Sequence, residues 1–150
     1  MDIYATREEL KSRQKNIFDL KLNVAYYARV STDKDEQKTS IEHQWTFFEQ
    51  LISDVKNWTL VDGYIDEGIS ASSMKKRKAL NEMLSKCNVF DMILFTKLDR
   101  LSRNVLDANN INKLLIDNKC TMKAIDEDDV DTSTADGTFI FNLKVSLAQR

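Results

Sequence analysis

The 150-residue chain carries 22 Lys and Arg against 24 Asp and Glu, a net charge of −2, with 42% hydrophobic and 31% charged residues. That size suits one domain with a real core, and the composition is that of an ordinary soluble globular protein. The slightly acidic balance argues against coating DNA by bulk charge, and no apolar run approaches the ~20 residues of a membrane helix.

The polar N-terminus shows no secretory signal. Cys87 and Cys120 lack CxxC spacing, so they read as small core residues rather than a disulfide framework or zinc site, and a cytoplasmic location is expected. Proline is absent and only three glycines occur, so element boundaries rest on Asp, Asn and Ser signals.

Residues 1–21 form a polar extension with scattered Leu10, Ile17 and Phe18. Leu22 to Val30 is the first expected strand, rich in Val, Ala and Tyr. Thr39 and Glu42 offer a capping box to a helix whose apolar stripe is Ile41, Trp45, Phe48, Ile52 and Val55. Trp58 to Ile65 is a second strand, followed by a shorter helix carrying Leu80, Met83, Leu84 and Cys87. Phe90 to Phe95 is a third strand, and its unbroken Met92-Ile93-Leu94-Phe95 indicates burial on both faces, as in parallel sheets. A helix over Val105 to Asp117 and a strand over Cys120 to Ile125 complete the alternation. This order predicts an α/β fold with a doubly wound, mainly parallel central sheet and helices on both faces. The last segment, Thr138 to Arg150, is apolar over too wide an arc for a single sheet, so it is expected to be deeply buried or shared with a partner. It ends without a stop signal, which suggests a fragment cut within a helix.

Two stretches carry the chemistry. Tyr27-Ala28-Arg29-Val30-Ser31-Thr32 and Lys97-Leu98-Asp99-Arg100-Leu101-Ser102-Arg103 each hand an apolar strand over to polar groups, where open α/β sheets place their sites. Ser31 is a candidate nucleophile, and Arg100 and Arg103 share a face if a helical turn begins there. A serine hydroxyl needs a base or a positive field. His43 is the only histidine and no GxSxG elbow surrounds Ser31, so a Ser-His-Asp triad is disfavoured. Arginine forks fit better, because they grip nonbridging phosphate oxygens and stabilise charge developing in phosphoryl transfer. Asp66 and Asp99, near strand ends, read alternatively as magnesium ligands. Neither a GxxxxGK[ST] loop nor a GxGxxG fingerprint is present, which disfavours nucleotide cofactors. Positive charge clusters at Lys75-Lys76-Arg77-Lys78 and Lys97 to Arg103, and negative charge at Asp126-Glu127-Asp128-Asp129. Either basic cluster alone reads as a solvated surface or as a place for a few phosphates.

Tyr27-Ala-Arg-Val-Ser-Thr, Ser40-Ile-Glu-His-Gln44, Tyr64-Ile-Asp-Glu-Gly-Ile-Ser and Lys97-Leu-Asp-Arg-Leu-Ser-Arg103, in that order, resemble the catalytic domain of serine site-specific recombinases. The resemblance runs from about Val24 to Arg150. It implies that Ser31 attacks a DNA phosphodiester to form a 5′-phosphoserine bond, with Arg29, Arg100 and Arg103 holding the phosphate. Asp99 would orient an arginine or help move the proton, and Gln44 would support the site. Arg77 occupies the family's mobile-loop arginine position and Asp66 a further acidic one. No cofactor is implied; the implied partners are double-stranded DNA and further copies of the protein, as dimer and tetramer. The long polar stretch from Thr32 to Ser40 and the N-terminal extension lean toward the large-serine integrase or transposase subgroup. On this reading residues 22–137 are the catalytic core and 138–150 the start of the oligomerisation helix. The rival readings are a non-enzymatic flavodoxin-like regulatory or oligomerisation module and a magnesium-dependent nuclease.

Overall fold

A computed structural model of the chain describes residues 17–30, 41–68, 76–102, 105–127 and 130–147. β1 (Leu22–Val30), β2 (Trp58–Glu67), β3 (Met92–Phe95) and β4 (Thr121–Ala124) form one sheet in the order β2-β1-β3-β4. Every pairing in it is parallel. Between the strands run α1 (Ile41–Ser53), α2 (Lys78–Ser85), a single turn α3 (Leu98–Leu101) and α4 (Val105–Asp117), and α5 (Ala135–Leu147) follows β4. The doubly wound α/β architecture expected from the alternation is the one observed, with β1 and Val105–Asp117 falling on the expected residues.

Side chains alternate across a strand, so β1 feeds two cores. Ala25 and Tyr27 join the face covered by α2, α4 and α5, with Leu80, Met83, Ile93, Ile111, Met122 and Phe141. Val24, Tyr26 and Ala28 join the α1 face, with Phe48, Ile52, Trp58, Met92 and Leu94. All four residues of β3 are buried, as its unbroken apolar run requires. Cys87 and Cys120 lie in the first core, and burial raises both thiol pKa values.

β2 carries a bulge, because Val24 pairs with Leu60 and Ala25 with Asp62, leaving Val61 as the extra residue. Beyond it Gly63 stands opposite Tyr26, and a side chain there would collide with the tyrosine ring.

Four features depart from the sequence expectation. Ile17 and Leu20, inside the stretch read as a polar extension, are buried in the α1-side core, and the Trp58 indole N–H donates to the Ile17 carbonyl at 3.1 Å. The α1 stripe is only half used: Phe48 and Ile52 are buried, whereas Ile41 and Trp45 stay exposed. The final helix starts at Ala135 rather than Thr138, with Phe141 buried and Phe139 and Leu143 exposed. Lastly, Arg77 leaves its basic cluster altogether. Lys76 and Lys78 face solvent, while Arg77 is 0% exposed. Among the described residues no helix is long and apolar enough to cross a membrane.

Candidate active site

The chain passes from β1 through α1 to β2 on one side, then returns across β1 to β3 on the other. Such a reversal opens a crevice at the carboxyl ends of β1 and β3. The candidate residues collect along this edge.

Arg29, half-buried, is the penultimate residue of β1 and pairs in register with Asp66 on β2. By strand alternation it shares a face with Tyr27 two residues earlier. The Tyr27 hydroxyl donates to Asp66 Oδ2 at 2.8 Å and accepts from Arg77 Nε at 3.2 Å. The Arg77 guanidinium carbon lies 5.1 Å from the centroid of the Tyr27 ring, within cation–π range. Its Nη2 donates to the Arg100 carbonyl at 2.9 Å, which reaches the turn after β3. One hydrogen-bonded chain thus joins β2, β1, the start of α2 and α3.

A buried guanidinium survives only where its donors are satisfied and an anion lies close; the Tyr27 and Arg100 oxygens, with Asp66 on the far side of the Tyr27 hydroxyl, answer part of that need. Asp66 has a second task. Its carboxylate accepts the N–H groups of Ala79 at 2.8 Å and Leu80 at 3.1 Å, the second and third residues of α2. Arg77, the residue preceding that helix, makes no side-chain capping bond, so the cap is supplied from β2 across the site. Burial pushes the Tyr27 phenol well above its ordinary pKa; Arg77 opposes the shift and Asp66 adds to it. At neutral pH Tyr27 is therefore a neutral donor to the carboxylate.

The remaining candidates are less concentrated. Arg100 is half-buried on α3. Asp99, beside it in sequence, is exposed and lines an open groove with Asp126, Glu127 and Lys144. Gln44 is half-buried in the first turn of α1, and His43 beside it is exposed. Ser31 and Arg103 lie outside the described residues. A helical turn does begin before Arg100, α3 running to Leu101 with Ser102 extended at φ −161° and ψ 141°, while the expected facing of Arg100 and Arg103 involves a residue outside the described ones. Ser102 is itself buried, which favours leaving the turn there.

Sequence reasoning missed two participants. Tyr27 reads in the sequence only as part of a motif, although a tyrosine two residues before a candidate arginine on one strand must share its face. Glu127 read as one member of an acidic run, yet it accepts the Leu98 N–H at 2.6 Å and pairs with Lys144 at 2.9 Å. Nothing local in the sequence separates it from its acidic neighbours. Among the described residues no cluster of three or more His, Cys, Asp or Glu is arranged to hold a metal ion. Both Asp66 oxygens are already engaged by protein donors, a poor starting point for a metal ligand.

Comparison with known proteins shows the family. The family described as "Resolvase, N terminal domain" matches residues 24–150. The transposon Tn917 resolvase of Enterococcus faecalis is 31% identical over 123 residues, covering 82% of this chain and 59% of that protein. The chain therefore spans about three-fifths of that relative's length. Among solved structures, the N-terminal catalytic domain of TP901-1 integrase superposes with a TM-score of 0.69 at 28% identity, covering 85% of this chain and 94% of that one. A resolvase-family site-specific recombinase from Streptococcus pneumoniae shares the fold, with a TM-score of 0.67 at 22% identity over 86% of this chain and 87% of its own. With the family match running from the first strand through the last helix, the chain belongs to the resolvase family, as its N-terminal domain.

Proposed function

We propose that this chain is the catalytic domain of a site-specific DNA recombinase in which Ser31 is the nucleophile. Its Oγ gives up the hydroxyl proton and attacks a phosphodiester phosphorus; the bond from phosphorus to the 3′ oxygen breaks, and that oxygen takes up a proton, so none is gained or lost overall. One phosphate diester is exchanged for another, a 5′-phosphoserine, so strand exchange and religation need no nucleotide cofactor. Arg29, Arg100 and Arg103 neutralise the phosphate. Asp99 orients an arginine or helps move the proton, and Gln44 supports the site. Asp66 and Arg77 act from behind, through Tyr27 and the Arg100 carbonyl. Double-stranded DNA is the substrate, and the whole protein acts as dimers that pair into tetramers, in the cytoplasm.

What carries the reading is the placement of Arg29 and of Arg100, whose carbonyl Arg77 holds, at the carboxyl ends of β1 and β3, β1 ending one residue before Ser31. In other phosphoryl-transfer enzymes one such arginine contributes ~10³–10⁵ in rate. The test is to trap covalent adducts formed by the whole protein on DNA and map the modified residue. Ser31→Ala should abolish the adduct while leaving folding nearly unchanged; an adduct that persists in that variant would refute the assignment. Excess chelator should leave adduct formation intact, whereas loss restored by magnesium would favour the nuclease. A non-catalytic module would form no adduct at all.

A further inference from the structure

We propose that Glu127 is a positioning residue for the reaction, a strut that sets the arginine-bearing turn α3 according to where helix α5 lies; this rests on the recombinase reading above. Past β4 the chain stays alongside the β3 exit, with Ile125 and Asp126 donating to the Phe95 and Thr96 carbonyls, both at 2.8 Å. It then turns back, so that Val130 donates to the Glu127 carbonyl and Ala124 to that of Val130, each at 2.9 Å. Two sets of backbone bonds therefore fix the base of the Glu127 side chain.

Each carboxylate oxygen serves a different element. Oε1 accepts the Leu98 N–H at 2.6 Å, the first residue of α3, and Oε2 accepts from Lys144 Nζ at 2.9 Å on α5. Both ends of the ion pair are mostly shielded, with side chains 34% and 23% exposed, so the contact is less screened than a surface pair. Lys144 is well supported. Phe141, three residues earlier, is buried in the core, and Gly137 lets α5 approach the Asp131 carbonyl so closely that any side chain there would clash.

Turn α3 is consequently gripped twice. Arg77 holds the Arg100 carbonyl from the α2 side, and Glu127 holds the Leu98 N–H from the α5 side. Only the second grip senses α5. If the helix shifts and Lys144 withdraws, the carboxylate is drawn toward water, the Leu98 bond loosens, and the Arg100 guanidinium moves with its turn. A misplacement of ~1 Å at a reacting centre can reduce rate ~100-fold.

The whole protein carrying this chain is assayed on the DNA to which it becomes attached in the trapping experiment. Glu127→Ala should slow adduct formation at saturating DNA by about 10- to 100-fold with DNA affinity unchanged. Glu127→Gln, which keeps an acceptor for Leu98, should retain most of the rate. Lys144→Met should slow it less than Glu127→Ala, and the double variant should be no slower than Glu127→Ala, since both act through one contact. Independently of activity, Lys144→Met should speed hydrogen exchange at the Leu98 amide. Wild-type rates in Glu127→Ala, or equal loss in Glu127→Gln that merely follows melting temperature, would overturn the strut. So would unaltered Leu98 exchange. If the wild-type protein forms no adduct, the recombinase reading falls, and Leu98 exchange alone decides whether the strut exists.

Discussion

Tyr26 and Tyr27 are neighbours on β1 and both are fully buried, yet strand alternation sends them to opposite faces of the sheet. Tyr26 stacks on Phe48, with centroids 4.4 Å apart and planes 5° from parallel, and meets Trp45 edge-on at 5.7 Å. Its hydroxyl has no hydrogen-bond partner among the described residues. The Tyr27 hydroxyl, by contrast, sits between a carboxylate and a guanidinium. The α1 face is held by shape, and the α2 face, at its carboxyl edge, by polar links that each depend on the next. Errors on the two faces should therefore differ in kind. A change of shape should matter on the first, and loss of a donor or acceptor on the second.

The largest effect is expected where the polar face is broken at its anion. Asp66→Ala removes the acceptor for Tyr27 and for two α2 amides, and with it the carboxylate that Tyr27 links to the buried Arg77. Removing one side of a buried ionic arrangement costs ~3–5 kcal/mol, to be read from urea unfolding. A loss of only ~1 kcal/mol, the size of an ordinary helix cap, would mean that Asp66 caps α2 and does nothing for Arg77.

On the shape-held face, the sharpest probe is Gly63→Ala. The added methyl meets the outer atoms of the Tyr26 ring, which cannot swing away while stacked on Phe48. Overpacking of this sort costs ~1–3 kcal/mol. Adding Tyr26→Leu, which removes the colliding ring atoms, should recover part of the loss; two strictly additive losses would show that the clash lies elsewhere.

The same contrast explains what could be read from residues alone. Strands β1 and β3 and helix α4 were legible because their apolar patterns are long or unbroken, and parallel order followed from alternation with helices. The carboxyl edge was legible too, since polar residues directly follow Val30 and Phe95. Arg77 read as one charge in a basic cluster because burial of an arginine depends on Tyr27 and Arg100, 50 and 23 residues away. Glu127 was hidden for the same reason, its partners lying 29 and 17 residues away. The burial of Ile17 and Leu20 was not legible because two apolar residues make no period, and only the Trp58 and α1 surface reveals where they go.

The finest test of the comparison removes a single oxygen from each tyrosine. Tyr27→Phe strips Asp66 and Arg77 of one bond each, and leaving buried polar groups short costs ~1–3 kcal/mol at neutral pH. Tyr26→Phe deletes a hydroxyl that bonds to nothing described and keeps the ring, so its effect should stay within ~0.5 kcal/mol, with a small gain the natural sign. Alkaline pH should then bring the pair together. Burial raises both phenols above the ordinary value of 10.0, with Glu49 and Asp62 adding to the shift at Tyr26. The unfolded tyrosines ionise first, so the native state gains nothing from ionisation while the unfolded state does. The stability these groups confer is whole below 10.0 and declines as pH rises through it. Either Phe variant should show a shallower decline than the parent over that range, although only Tyr27→Phe starts from a lower neutral value. Equal losses at neutral pH, or a larger one for Tyr26→Phe, would mean that the two faces are not held by different forces.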